Sequence, residues 1–239
     1  MRVMLCVAFA MAITAGSVVL GQTDSMVSTT THITTDGQIQ LVIQNNYTEP
    51  MTAYAYDGSY LAPGWTQPLG AGDIVDLLFR LRMGMGDPIA PGQSVTVALG
   101  GHGSTNLQIS LHGAVFADGA TSGEDVWVER ILRQRQFEYD EINIVEKKLR
   151  DAIANGSDLD TLANQLESEG KDREARAEKN DRDQLRCIRS VWAWTQGIVK
   201  SALKQGLKRD FILDAELNSL EKSRKQLSQS LPALKENEN

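Results

Sequence analysis

LQISLHGAVFADGATSGEDVWVERIL, residues 107–132, contains a strand, a turn and the start of a helix in succession. Apolar and polar residues alternate from Leu107 to His112, which is the period of two that a half-buried strand shows. A β-rich part of the chain should therefore end within this stretch, and a helical part should begin.

The turn and the helix start each have a local signal. Asp118 and Gly119 predict a tight turn, because glycine tolerates the positive φ that such turns need. Ser122 with Asp125 three residues later is typical of a capping box, in which the two side chains satisfy backbone N–H groups at a helix N-terminus.

Short strand signals recur upstream of this stretch. Alternating runs at 39–44, 51–56 and 94–99 are separated by turn-forming residues. The brief apolar run at 73–81 fits a strand or a short helix equally well. This pattern favours an α+β protein whose residues 38–120 form a small antiparallel immunoglobulin-like β-sandwich.

Two other segments predict connections. Residues 22–37 are rich in Thr and Ser and predict a flexible leader that enters a first strand around 32–34. Residues 60–72 contain two prolines and several glycines, so we expect a loop there.

The helical region is expected over 121–232, ahead of a disordered tail at 233–239. Its first helix should run from 122 to 154, with an apolar stripe that Arg135 interrupts. The last helix carries a leucine seam with heptad spacing in which Arg224 occupies one slot: Leu213, Leu217, Leu220, Leu227, Leu231 and Leu234. The seam predicts an intrachain helical hairpin or bundle, and the alternative is a homodimeric coiled coil.

The N-terminus predicts export. Residues 1–21 combine Arg2 with a long apolar run and a small residue before Gln22, as in a secretory signal peptide. An uncleaved membrane anchor is the alternative. After cleavage Cys187 would be the only cysteine, which fits a bacterial protein of the periplasm or the extracellular space.

Charge limits the classes of partner. The net charge is −7, and residues 1–118 hold 3 basic and 8 acidic residues. This balance argues against nucleic acid as a partner, because phosphate binding needs a concentrated basic face.

No motif for a metal or a cofactor is present in the sequence. The chain has no nucleophile elbow, phosphate-binding loop or dinucleotide fingerprint. The histidines at 32, 102 and 112 lack the spacing of metal ligands. We therefore expect no metal and no cofactor.

Two groups of residues are candidates for a site. An exposed row of aromatic rings could stack on sugar rings, with the inner face of the sandwich as the alternative position for it. Its members are Tyr54, Tyr56, Tyr60 and Trp65. Asp57, Asp73 and Asp118 could serve a hydrolase, provided that their carboxylates converge in one cleft.

One set of motifs resembles a known group of proteins. VFADGA at 115–120, with GED at 123–125 and WV at 127–128, is similar to segments of uncharacterised exported bacterial proteins of acidobacterial type. NNY at 45–47 and PIAPG at 88–92 resemble the same group. The resemblance implies a small β-sandwich followed by helices, and it implies no activity.

We therefore expect the protein to bind a partner rather than to catalyse a reaction. The leading hypothesis is a non-catalytic binding or scaffold module of the periplasm or cell envelope, with an envelope protein or polymer as its partner. A secreted hydrolase-like enzyme and a homodimeric coiled-coil adaptor are the alternatives.

Overall fold

The computed structural model describes residues 20–23, 25–99, 105–177 and 181–231. The fold is α+β, with strands in the N-terminal half and most helices in the C-terminal half. In chain order the elements are β1 (Leu20–Thr23), β2 (Val27–Ile33), β3 (Ile39–Asn45), β4 (Met51–Leu61), β5 (Leu69–Asp76), α1 (Leu77–Arg82), β6 (Ser94–Leu99), β7 (Thr105–Phe116), β8 (Thr121–Gly123), α2 (Asp125–Ala154), α3 (Leu159–Arg176), α4 (Arg182–Gln205) and α5 (Arg209–Ser230).

The strands form two antiparallel sheets. One has the order β1-β2-β3-β6 and the other has the order β5-β4-β7-β8. A single hydrophobic cluster joins their inner faces, with Leu41 and Ile43 from the first sheet and Tyr54 and Phe116 from the second. The two sheets therefore share one core.

The prediction of a flexible leader is wrong for most of residues 22–37. β1 pairs with β2, and β2 pairs with β3 along its whole length. Val27, Thr29 and Thr31 are buried on one side of β2. Threonine is β-branched and fits a pleated strand, so a Thr-rich stretch forms a strand here although its composition is polar.

The ambiguous run at 73–81 is divided between two elements. β5 continues to Asp76, and α1 begins at Leu77. The Asp76 carboxylate accepts hydrogen bonds from the backbone N–H groups of Leu78 and Phe79, so it caps the helix. β5 begins at Leu69, inside the segment expected to be a loop.

The junction between the two halves contains the expected turn but not the expected cap. Gly119 has a φ of 88°, and Asp118 accepts a hydrogen bond from the Ala120 N–H at 2.9 Å. Ser122 instead lies in β8, where it pairs with Ala114. The N-cap of α2 is Glu124, so Ser122 and Asp125 form no capping box.

Helices α2 to α5 pack around a second hydrophobic cluster, to which Leu78 of α1 also belongs. The leucine seam of α5 belongs to it, with Leu213, Leu220 and Leu227 buried against residues of α2 and α4. The seam is therefore buried within the chain, as the prediction of an intrachain bundle requires.

Helix α2 also covers the outer face of the second sheet. Ile131 packs on Ala53, Ala55, Ile74 and Val115 in a third cluster. The alanines leave room for the helix axis to come close to the sheet. The middle of this sheet, around Ala53, Tyr54 and Ala55, is thus buried on both faces.

A buried ion pair fixes α2 on that sheet. Arg135, which is 0% exposed, donates from Nε to Asp76 Oδ2 at 2.6 Å and from Nη2 to Thr52 Oγ1 at 3.0 Å. Thr52 in turn donates to the Val115 carbonyl. The residue that interrupts the apolar stripe of α2 is therefore the residue that joins it to the strands.

A second buried polar group lies nearby. The Arg82 side chain is 1% exposed, and its guanidinium lies 4.0 Å from Glu138 Oε1 without a hydrogen-bond partner among the described residues. Burial raises the pKa of Glu138 to about 7, against the opposing charge of Arg82. Burial also raises the pKa of Glu216, which accepts a hydrogen bond from Thr195.

The structure describes only a small part of the predicted signal peptide and none of the predicted tail. Residues 1–19 and 232–239 lie outside the described residues, whereas Leu20 and Gly21 already belong to β1. In the described part of the chain, no helix is long and apolar enough to cross a membrane.

Replacing Arg135 tests the buried ion pair. Arg135→Met should lower the free energy of unfolding by about 3–5 kcal/mol, because it leaves the Asp76 carboxylate buried without a cation. Arg133→Met is the matched control, since that side chain is 56% exposed and should cost less than about 1 kcal/mol. Urea unfolding followed by circular dichroism measures both, and equal losses would contradict the prediction.

The buried Glu138 should make stability depend on pH. Its raised pKa means that the folded chain binds this proton more tightly than the unfolded chain does. The free energy of unfolding should therefore rise by about 1 kcal/mol from pH 8 to pH 6, and this gain is lost as the pH rises through 7. Glu138→Gln should reduce the gain and the exposed Glu129→Gln should keep it; identical pH profiles for wild type and Glu138→Gln would refute the assignment.

Candidate functional site

A cleft of about 360 Å³ lies where the outer edge of β5 meets α2 and α4. β5 is the terminal strand of its sheet, so only one of its edges is paired with another strand. The volume is within the range of small-ligand sites, about 300–1,000 Å³. We call this space the edge cleft; its lining residues are Asp57, Gly70, Ala71, Gly72, Asp73, Ile74, Trp127, Arg130, Asp183 and Arg186.

Two glycines create the space. Side chains alternate between the faces of a strand, so Gly70 and Gly72 lie on the same outer face as Ile74, which packs under α2. A Cβ atom at Gly70 would meet nothing within 4 Å. A Cβ atom at Gly72 would lie 2.7 Å from Asp57 Oδ1, so the Asp57 carboxylate occupies the space beside this position.

The backbone of β5 also faces the cleft. Arg186 Nη1 donates to the Ile74 carbonyl at 3.3 Å, so this carbonyl points away from β4. Backbone groups two residues apart point to the same side of a strand. The N–H and C=O groups of Gly70 and Gly72 therefore point to the outer edge as well.

The helical wall of the edge cleft is formed by a paired charge. Arg130 donates to both carboxylate oxygens of Asp183, at 2.6 and 3.0 Å, and Asp183 is 8% exposed. This hydrogen bonding raises the pKa of the Arg130 guanidinium. Such a two-point contact fixes the orientation of both side chains.

Arg186 closes one end of the edge cleft. Its guanidinium lies 2.9 Å from Asp73 Oδ1 and also binds the Ile74 carbonyl. The same residue borders a second space, lined also by Phe79, Leu185 and Arg189 among others. Arg186 therefore lines both spaces.

Trp127 lies at the base of the helical wall, and its ring is in contact with other groups. The His112 ring stacks on it at 5.1 Å between centroids with an interplanar angle of 19°, and the Arg130 guanidinium carbon lies 5.6 Å from its centroid. Glu124 holds His112 at 2.7 Å. These contacts restrict the area of the indole ring that a ligand could stack on.

The aromatic residues predicted to bind a ligand do not form an exposed row. Tyr54 and Tyr56 are 1% and 8% exposed and belong to the core between the sheets, and burial raises the pKa of Tyr54 to about 12. Tyr60 is half-buried against the same core, whereas Trp65 is 58% exposed in the β4–β5 loop. The tyrosines point inward because they occupy the alternate positions to Ala53 and Ala55.

The three predicted acids are divided between two places. Asp57 and Asp73 both line the edge cleft. Asp118 lies in the β7–β8 turn at the other end of the sheet, where the Tyr47 hydroxyl donates to it at 3.0 Å. The convergence that a three-acid site requires is therefore not present.

Most of the edge cleft has no signal in the sequence. Arg130, Asp183 and Arg186 belong to helices, and nothing in a helical sequence indicates which charged residues face a strand edge. The glycines do carry a strand signal. Gly70 and Gly72 alternate with apolar residues in LGAGDIVD, and such alternation is typical of a strand and not of a loop.

Metal ligands do not cluster in the described part of the chain, which holds no group of three or more His, Cys, Asp or Glu residues suited to a metal. His32 contacts Gln40 and His112 contacts Glu124, whereas His102 lies outside the described residues. Cys187 is buried, and its pKa is raised by that burial, so it is a structural thiol.

Comparisons with protein-family models, with curated proteins and with solved structures find no significant match to this chain.

Proposed function

We propose that this chain is an exported, non-catalytic binding module of the bacterial cell envelope, and that it holds an extended polar ligand in the edge cleft. The observation that carries the proposal is the edge cleft itself, where an open strand edge meets charged side chains held by α2 and α4. Ligands are typically bound where two structural units meet.

The pairing of charges supports binding rather than catalysis. Asp73 and Asp183, two of the three carboxylates that line the cleft, are engaged by Arg186 and Arg130. Carboxylates held this way orient a ligand well but are poorly placed to exchange protons with it.

We also propose that the strand half has the immunoglobulin-like topology. The orders β2-β3-β6 and β5-β4-β7-β8 support this, because they correspond to strands A-B-E and C′-C-F-G of that arrangement. Helix α1 and the segment after it would then occupy the place of strand D.

Export is supported by the signal-like sequence at residues 1–21 and by the resemblance to exported bacterial proteins. Expression of the full chain in a bacterium should yield a mature form that begins at Gln22, as read by mass spectrometry of the N-terminal peptide. A protein that keeps Met1 and stays in the cytoplasm would refute export.

Filling the edge cleft tests the proposed function. Gly70→Leu places a side chain in the cleft at an exposed position where the new Cβ atom would meet nothing within 4 Å, so the free energy of unfolding should change by less than about 1 kcal/mol. Immobilised full-length protein should retain a specific component of an envelope extract, and Gly70→Leu should retain at least tenfold less of it.

Thr96→Leu is the matched control for that substitution. Thr96 is an exposed position on edge strand β6 of the other sheet, so the change adds the same apolar side chain away from the edge cleft. Equal retention by wild type, Gly70→Leu and Thr96→Leu would show that the edge cleft is not the binding site.

A hydrolase is the second candidate, because Asp57 and Asp73 line the same cleft. If the protein is a hydrolase, the wild type should release reducing sugar from cell-wall glycan, and Asp57→Asn should abolish that release. Absence of release by the wild type would exclude this candidate for that substrate and leave the binding module.

A further inference from the structure

We infer that the outer edge of β5 accepts an extended peptide as an additional strand, with a Lys or Arg side chain of that peptide crossing Gly70 and Gly72 to reach Asp57. This inference rests on the proposed function and names the ligand class of the edge cleft. Three features support it: the outward backbone groups of β5, the lack of side chains at Gly70 and Gly72, and the negative charge of Asp57.

The backbone of β5 supplies a template for strand addition. The outward N–H and C=O groups of Gly70 and Gly72 form no backbone hydrogen bond with other described segments. The next outward carbonyl, that of Ile74, is already bound by Arg186. An added strand would therefore pair along residues 69–73 and end at Arg186.

The glycines open a path across β5 to Asp57. Asp57 lies on β4 directly opposite Gly72, so it is one strand inside the edge. A residue on an added strand would lie two strand spacings from it, about 10 Å. A Lys or Arg side chain spans this distance to the Asp57 carboxylate only when no side chain on β5 stands between them.

Charge complementarity favours a basic residue in the peptide. Asp57 is exposed, it accepts a hydrogen bond from the Gly58 N–H at 2.7 Å, and no described cation pairs with it. The other two carboxylates of the cleft are already paired with arginines. Asp57 is thus the carboxylate available to an incoming cation.

A sugar chain fits the edge cleft less well than a peptide does. Sugar rings bind by stacking on an exposed aromatic face. The ring of Trp127 is in contact with His112 and Arg130, and Tyr54 and Tyr56 are buried in the core. Strand pairing needs none of these rings.

The test uses a defined peptide, acetyl-Thr-Val-Lys-Val-Thr-amide, titrated into the full-length protein and followed by NMR and hydrogen exchange. We expect saturable binding, with slowed amide exchange at Gly70 and Gly72. Asp57→Asn should weaken the affinity at least fivefold, and Glu in place of Lys in the peptide should abolish binding. Slowed exchange at those glycines would support strand addition, and unchanged exchange on binding would overturn it.

A backbone-methylated peptide provides the matched control. Methylating the amides of the lysine and of both valines keeps the lysine charge but removes the donors that would face β5 in either strand direction. It should bind at least tenfold more weakly than the parent peptide. Equal affinity of the two peptides would reduce the contact to charge alone and would overturn strand addition.

Failure of this inference can be told apart from failure of the proposed function. If Gly70→Leu loses its envelope partner but no peptide binds, the edge cleft is a binding site for another ligand and strand addition is wrong. If Gly70→Leu keeps its partner and no peptide binds, both proposals are overturned.

Discussion

The contact between Arg135 and Asp76 is the constraint on which the rest of the structure depends. Asp76 ends β5, caps α1 and receives the guanidinium of α2, so one carboxylate fixes three elements relative to one another. A buried charge is tolerated only where its partner is fixed. Once α2 is held there, α4 can lie beside it, and these two helices form the wall that turns the edge of β5 into a cleft.

The second sheet illustrates how one strand can serve two cores. Along β4 the tyrosines face the other sheet, whereas Ala53 and Ala55 face α2. A shift of one residue in register would exchange large side chains for small ones in both places. The strand half and the helical half are therefore linked through the register of β4, and the position of Asp57 over Gly72 follows from the same alternation.

Much of the fold could be predicted from the sequence, because alternation and helical periodicity are local signals. The division into strands and then helices, the end of α2 near Asn155 and the intrachain use of the leucine seam follow from such signals. The predictions for 22–37 and for Ser122 were wrong because pairing with a neighbouring strand outweighed local composition and local capping. The edge cleft could not be predicted, since Arg130, Asp183 and Gly70 are brought together only by long-range packing.

The order of the elements along the chain has a consequence for how this protein folds. The strands precede α2, the helix that covers the outer face of the second sheet, so that face is uncovered until α2 packs on it. Alanines at 53 and 55 keep this temporary surface shallow and weakly adhesive. The small side chains that allow close helix packing in the finished protein thus also limit the apolar surface that this face exposes before α2 has docked.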